Sequence, residues 1–94
     1  MSIQLNQIVD IDTINADVRR IISEELGVEM QSIGPDTDIV TELGAGASDM
    51  DAIKTATDNW FHIKISDENW GKMRRVYDVV HLVDVYLEIK QIEM

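Results

Sequence analysis

Apolar residues at Ile11, Ile14, Val18, Ile21, Ile22 and Leu26 recur three or four positions apart, with Asp and Arg filling the face between them. That period is helical. Asp10 or Asp12 can cap its start, and Gly27 can supply the left-handed stop. The spacing predicts a first helix over residues 12–26. A second pattern runs over residues 48–60. Ile53, Ala56 and Trp60 fall on one stripe, with Met50 and Ala52 beside it and Asp51, Lys54, Thr55 and Asp58 opposite. Residues 61–65 alternate, but no other stretch does so convincingly. They read as an extended link that sets Phe61, Ile63 and Ile65 into the core. Ser66 and Asp67 can cap a short third helix over 68–73 that turns Trp70 and Met73 inward. The last helix, over 76–91, carries Val76, Val79, Val80, Val83 and Leu87 on one face. Val, Tyr and Ile are middling helix formers, so packing must hold it.

Between the first two helices, residues 27–47 form a long connection containing the only proline, Pro35. A structureless loop of that length is uncommon in a small domain. Val28, Met30, Ile33, Ile39, Val40 and Leu43 dot it. They predict a loop pinned to the core along its length, with a short helical turn near residues 38–43. The fold class that follows is all-α: three main helices, a short extra one and a long first loop in a small four-helix bundle. With 94 residues the chain makes one domain, read as an N-terminal arm over 1–10 and a helical domain over 11–94.

The chain has no cysteine, so it offers neither a disulfide nor a thiolate of its own. No apolar run reaches the roughly 20 residues of a membrane span, and the first nine residues lack the basic start and apolar core of a signal peptide. The expected location is the cytoplasm, as a monomer. The formal charge is −10 and is uneven: residues 36–61 hold six acids and one base, whereas residues 62–94 hold six and five. An acidic field of this kind disfavours nucleic acid and favours basic partner surfaces.

The acidic third surrounds one serine. Ser48 is the only hydroxyl between Glu42 and Lys54. Ser48-Asp49-Met50-Asp51 reads as an N-cap followed by an acidic first turn, a capping box with Asp in place of Glu. The usual work of a cap serine is to accept a backbone N–H, worth about 0.5–2 kcal/mol. Its other use is as an alcohol open to modification. His62 and His81 are the only histidines, and neither has a partner at metal-ligand spacing, so no metal site is expected. A serine hydrolase needs an oxyanion hole and a strand-turn-helix elbow, which a small helical chain does not offer. Gly44-Ala45-Gly46 lacks the preceding strand of a phosphate loop. Enzymatic activity is not expected.

Three runs resemble the acyl carrier proteins and related phosphopantetheine carrier domains. Val18-Arg19-Arg20-Ile21-Ile22-Ser23-Glu24-Glu25-Leu26-Gly27-Val28 is similar to the family's first helix and its Leu-Gly-Val exit. Pro35-Asp36-Thr37-Asp38-Ile39-Val40-Thr41-Glu42-Leu43-Gly44-Ala45 resembles the run before the attachment site, and Phe61-His62-Ile63-Lys64-Ile65-Ser66-Asp67-Glu68 the link after the second helix. The resemblance spans residues 17–90. At its centre the chain departs from the family's Leu-Gly-x-Asp-Ser-Leu-Asp. Threaded without a gap from Leu43 to Phe61, the family serine falls on Ala47. A one-residue shift places it on Ser48, and matching Met50-Asp51 to the family's Leu-Asp places it on Asp49. Ser48 is favoured as the sole nucleophile in reach at a helix start. The last helix opens Arg75-Val76-Tyr77-Asp78 where the family has Thr-Val-x-Asp, and Trp60 and Trp70 are bulky for a bundle that must open.

The resemblance implies a carrier that holds acyl groups as thioesters on a 4′-phosphopantetheine arm attached to Ser48 by a phosphopantetheinyl transferase. It implies shelter for the acyl tail around Met50, Ile53, Ala56, Trp60 and Met73. It also implies that Glu42, Asp49, Asp51 and Asp58 meet basic patches on acyl-transferring or acyl-activating enzymes of a specialised lipid or secondary-metabolite pathway. The alternative expectation is an unmodified, carrier-like acidic module that docks or regulates.

Overall fold

The first helical repeat folds as α1 (Ile11–Leu26), and the computed structural model describes the chain over residues 10–92. The arm expected over residues 1–10 lies outside that range except for Asp10. Asp10 caps α1, its carboxylate accepting the Thr13 N–H at 2.9 Å. Gly27 ends the helix in the left-handed region at φ 70°, as only glycine does without strain. α1 turns Ile14, Val18, Ile21 and Ile22 into the core.

The long connection is ordered by its own bonds. A 3-10 turn spans Met30–Ser32, and the Arg19 side chain reaches across to donate to the Ile33 and Met30 carbonyls at 2.8 and 3.2 Å. The short helical turn expected near residues 38–43 is present. Glu42 N–H donates to the Asp38 carbonyl at 3.0 Å, and Gly44 N–H to that of Val40 at 3.0 Å. Ile33, Ile39 and Ala45 are buried and Val28 and Leu43 pack on the core, so the loop is pinned at these residues, whereas Val40 is exposed.

The remaining helices are α2 (Ala47–Phe61), α3 (Asp67–Trp70) and α4 (Val76–Ile92). α1 packs against both α2 and α4. α3 is shorter than the expected 68–73, because the chain leaves the helix at Gly71. Ser66 caps it as expected, accepting the Asn69 N–H. Of the link residues, Phe61 closes α2, Ile65 is buried, and Ile63 packs on the core from its rim. α4 lacks a threonine cap, but the Asp78 carboxylate accepts the Arg75 N–H at 2.9 Å and the Arg74 N–H at 3.2 Å. Among the described residues the β-structure is an isolated bridge between Asp38 and Arg75. The molecule is therefore an all-α bundle of four helices with a long first loop.

One stripe differs from expectation. α2 buries Ile53, Thr57 and Phe61, and Trp60 is 52% exposed. The inward row steps by four from Ile53 and so reaches Thr57 and Phe61 rather than Trp60. Thr57 tolerates burial because its hydroxyl donates to the Ile53 carbonyl at 2.7 Å.

Candidate functional site

The start of α2 lies two residues earlier than a Ser48 cap requires. Gly46, extended at φ −88° and ψ −176°, is the N-cap, and the Asp49 carboxylate reaches back to accept the Gly46 N–H at 3.0 Å. Glycine is an acceptable cap, and an acid at the third helical position completes half of a capping box. The expected box of Ser48 with Asp51 is thus replaced by Gly46 with Asp49. Ala47 is the first helical residue and Ser48 the second.

This displacement changes what Ser48 does. Its side chain is exposed, and among the described residues no hydrogen bond engages its hydroxyl. It is released from capping and free for other chemistry. The first intrahelical bond is from Met50 N–H to the Gly46 carbonyl at 3.0 Å. The N–H groups of Ala47, Ser48 and Asp49 therefore form the open, positive end of the helix.

The acids expected to meet partners divide into two kinds. Asp51 is exposed and Asp49 half-buried beside Ser48. Glu42 is exposed, but one of its oxygens accepts the Asp38 N–H at 2.6 Å. Asp58 stands three turns away and is engaged by the fold. One oxygen pairs with Lys54 Nζ at 3.0 Å and the other accepts the Ile65 N–H at 3.0 Å.

The residues expected to shelter an acyl tail also divide. Met50 and Met73 lie on one open cleft of about 480 Å³, together with Val40 and Thr41 from the loop, Trp70 at the end of α3 and Arg74 from the stretch between α3 and α4. Ile53 is fully buried and Ala56 packs on the core behind it. Trp60 belongs to neither group. It lies against α1, with the Arg20 guanidinium 4.3 Å from its ring centroid.

Sequence reasoning missed the latch beside this cleft. Asp38, buried at the head of the helical turn, accepts the Thr41 and Val40 N–H groups at 2.8 and 3.0 Å and the Arg74 guanidinium at 2.8 Å. The Ile39 N–H donates to the Arg74 carbonyl at 2.8 Å on the same seam. The Thr41 N–H, with help from Arg74, holds the Asp38 carboxyl down to about 2. Val40, expected to pin the loop to the core, is instead exposed and lines this cleft. Nothing in a separation of 36 residues announced the ion pair.

Among the described residues no group of three or more His, Asp or Glu is placed to hold a metal ion. His62 instead ends α2 in the left-handed region at φ 57°, and His81 is exposed on α4. No described helix is long and apolar enough to cross a membrane.

The molecule is a small helical domain with an exposed hydroxyl at a helix mouth and an apolar cleft lined from the same end of α2. No family model matches it. Compared with curated proteins, 67 of its residues align at 31% identity with an acyl carrier protein of Solidesulfovibrio magneticus, over 71% of this chain and 86% of that protein. The chain belongs to the acyl carrier proteins. It is a carrier rather than an enzyme, and carriers of this family act together with partner enzymes.

Proposed function

We propose that the chain carries acyl groups as thioesters on a 4′-phosphopantetheine arm attached to Ser48 Oγ. The observation that carries this reading is the exposed, unengaged hydroxyl at the second position of α2. In the attachment a separate transferase joins Ser48 Oγ to the phosphorus of the pantetheine phosphate. The pyrophosphate bond of coenzyme A breaks, adenosine 3′,5′-bisphosphate leaves, and the serine proton is lost to solvent. Mg²⁺ on the transferase would offset the phosphate charge.

The residues present fit the group. The free N–H groups of the first turn of α2 favour a phosphodiester anion. The carboxylates of Asp49 and Asp51 oppose it from the helix side, which directs the arm outward into solvent. When attached, the arm supplies the thiol that this cysteine-free chain lacks. Met50, Met73 and Trp70 on the cleft wall give the acyl tail an adaptable apolar seat. Glu42, Asp49 and Asp51 present negative charge around Ser48 to basic patches on a transferase and on acyl-transferring or acyl-activating enzymes. Such encounters are fast at low salt and slow as salt rises. Asp58 contributes to that field while its oxygens hold the fold. The cytoplasm and a dedicated lipid or secondary-metabolite pathway are the setting this reading fits.

A second reading has its own observation. α2 begins at Ala47, and gapless threading places the family serine on that alanine. On this reading the domain stays unmodified and serves as an acidic docking or regulatory module. One experiment separates the two. The protein is incubated with coenzyme A, Mg²⁺ and a broad-specificity phosphopantetheinyl transferase, and intact and peptide masses are taken. A gain of one arm on the peptide containing Ser48, absent in Ser48→Ala, is the expected result. A folded sample that stays bare under these conditions selects the second reading.

A further inference from the structure

α4 is apolar on two sides. Val76, Val79, Val80 and Val83 are buried in the core. A second row, Tyr77, His81, Val85 and Ile89, runs along the outside in steps of four. Tyr77, Val85 and Ile89 are 42%, 47% and 48% exposed. A surface helix normally turns charge to water on its outer face, but this row holds no Asp, Glu, Lys or Arg in a chain of formal charge −10. Hollows flank its first half. One of about 160 Å³ opens toward Ile11 and Pro35, and one of about 420 Å³ toward Met73, Leu82 and Val85. Tyr77 and His81 line both and form the ridge between them. The two ends of the row differ in charge. At the first end Lys72, Arg74 and Arg75 are exposed among Asp12, Asp36 and Asp78. There the Asp78 carboxylate is turned to the Arg74 and Arg75 N–H groups. Lys72 and Arg75 have no carboxylate partner among the described residues. In the second half Asp84 and Glu88 have no cation partner among them either, and Lys90 is turned to the His62 carbonyl.

We propose that a second copy of this chain docks on the outer face of α4, with the two helices antiparallel. An i, i+4 row is a ridge of the kind that packed helices interlock, and a ridge flanked by hollows can meet its own copy about a twofold axis. Antiparallel pairing sets the Tyr77 end of each row on the Ile89 end of the other. Asp84 and Glu88 of each copy then approach the end that holds the unmatched Lys72 and Arg75. Parallel pairing would set acid on acid, so charge selects the direction while the apolar row supplies the contact. α4 has 17 residues and is about 25 Å long, so the shared face is small. Interfaces below about 1,200 Å² in total are weak and transient. The pairing is therefore reversible, and the monomer expected from the sequence is its dilute form. No residue of α2 lines either hollow, so pairing leaves Ser48 open in both copies. The inference does not rest on whether Ser48 is modified.

The test is a dilution series of the full chain between about 10 μM and about 1 mM, the range of a weak complex, read by sedimentation equilibrium and by ¹H–¹⁵N spectra. The average mass should rise from one chain toward two across the series. The amide signals that move with it should centre on Tyr77, His81, Val85 and Ile89, and those of Ala47, Ser48 and Asp49 should stay still. Added salt should strengthen the association, because screening relieves the repulsion between two chains of −10. Val85→Lys places a charge in each row and should weaken association at least about tenfold, although it lowers the net charge that keeps copies apart. Val85 is exposed, so the variant keeps its fold, which its melting curve checks. Trp60→Gln, at an exposed position of α2, should associate as the parent does. A chain that stays single throughout overturns the proposal and leaves the face to a different protein. Signals that move elsewhere, association that weakens with salt, or a folded Val85→Lys protein that pairs as before also overturn it.

Discussion

At its first turn α2 is held by the Asp49 carboxylate on the Gly46 N–H, whereas its last turn is bound into three other parts of the molecule. There the His62 and Ile63 N–H groups both donate to the Asp58 carbonyl. The Asp58 side chain joins Lys54 to the Ile65 N–H. Lys90 Nζ reaches from α4 to the His62 carbonyl at 2.8 Å, and the Arg20 guanidinium of α1 covers Trp60. The far end fixes the helix against the link, α1 and α4. The near end is consequently spared structural duty, and an alcohol placed there can be changed without loosening the bundle. The contrast also separates the acids that sequence alone groups together: Asp51 and Asp49 stand at the open end, and Asp58 works at the tied one.

The sharpest way to break this contrast is to remove one side chain at each end. Ser48→Ala should abolish the mass gain completely while shifting stability by no more than about 0.5 kcal/mol, the range for exposed sites away from special features. Asp58→Ala should do the reverse. It leaves the N–H of buried Ile65 without its acceptor, and the cost is about 1–3 kcal/mol. Urea titration and mass spectrometry on both variants check the pair. A Ser48→Ala protein destabilised as much as Asp58→Ala would show that the open end is structural after all.

Upstream of the open end, Asp38 holds the helical turn and its tie to Arg74. Its carboxyl is held down to about 2 from an ordinary value of 3.8, so folding favours the ionised form. That stability is fully present above about 3.8 and is lost as pH falls toward about 2. Melting curves between these limits should fall with pH in the parent protein and more shallowly in Asp38→Asn, which has no carboxyl to titrate. Parallel slopes would remove Asp38 as the source.

These ends were unequally legible in the sequence. The boundaries of α1 follow from hydrophobic period and from Gly27, because a glycine after an amphipathic run has a single economical conformation there. The far end of α2 has no such sign, since His62 adopts the left-handed region without being glycine. The cap was misplaced for a related reason. Ser48 is the better cap by residue type, but Asp49 can reach Gly46, and a cap two residues earlier lets the helix begin at Ala47. Trp60 was placed inward because it falls on one helical stripe with Ile53 and Ala56. A tryptophan can instead be covered by a cation from the neighbouring helix, which no period within α2 reveals. The Met50 and Met73 walls were legible as inward-facing residues, but that they share one cleft with Val40 and Arg74 is a tertiary fact. That the Trp70 indole N–H is buried without a hydrogen-bond partner is likewise a property of packing, invisible to any pattern along the chain.

The smallest effect concerns that covering cation. Arg20 lies over the Trp60 ring at 4.3 Å and also contacts Glu24 at 3.4 Å and Asp17 at 3.8 Å. Single substitutions therefore mix several losses. A double-mutant cycle with Arg20→Ala and Trp60→Leu isolates the ring contact, provided neither change creates a new one. At an exposed site its coupling should be about 0.5–1 kcal/mol. The ion pairs, being exposed and salt-screened, should cancel in the cycle. A coupling near zero would mean that the tied end of α2 relies on Asp58 and Lys90 alone, and the asymmetry between its ends would then rest on hydrogen bonds rather than on the aromatic contact with α1. In either outcome the arm should still attach to Ser48, because Trp60 stands more than three turns along the helix from the open hydroxyl.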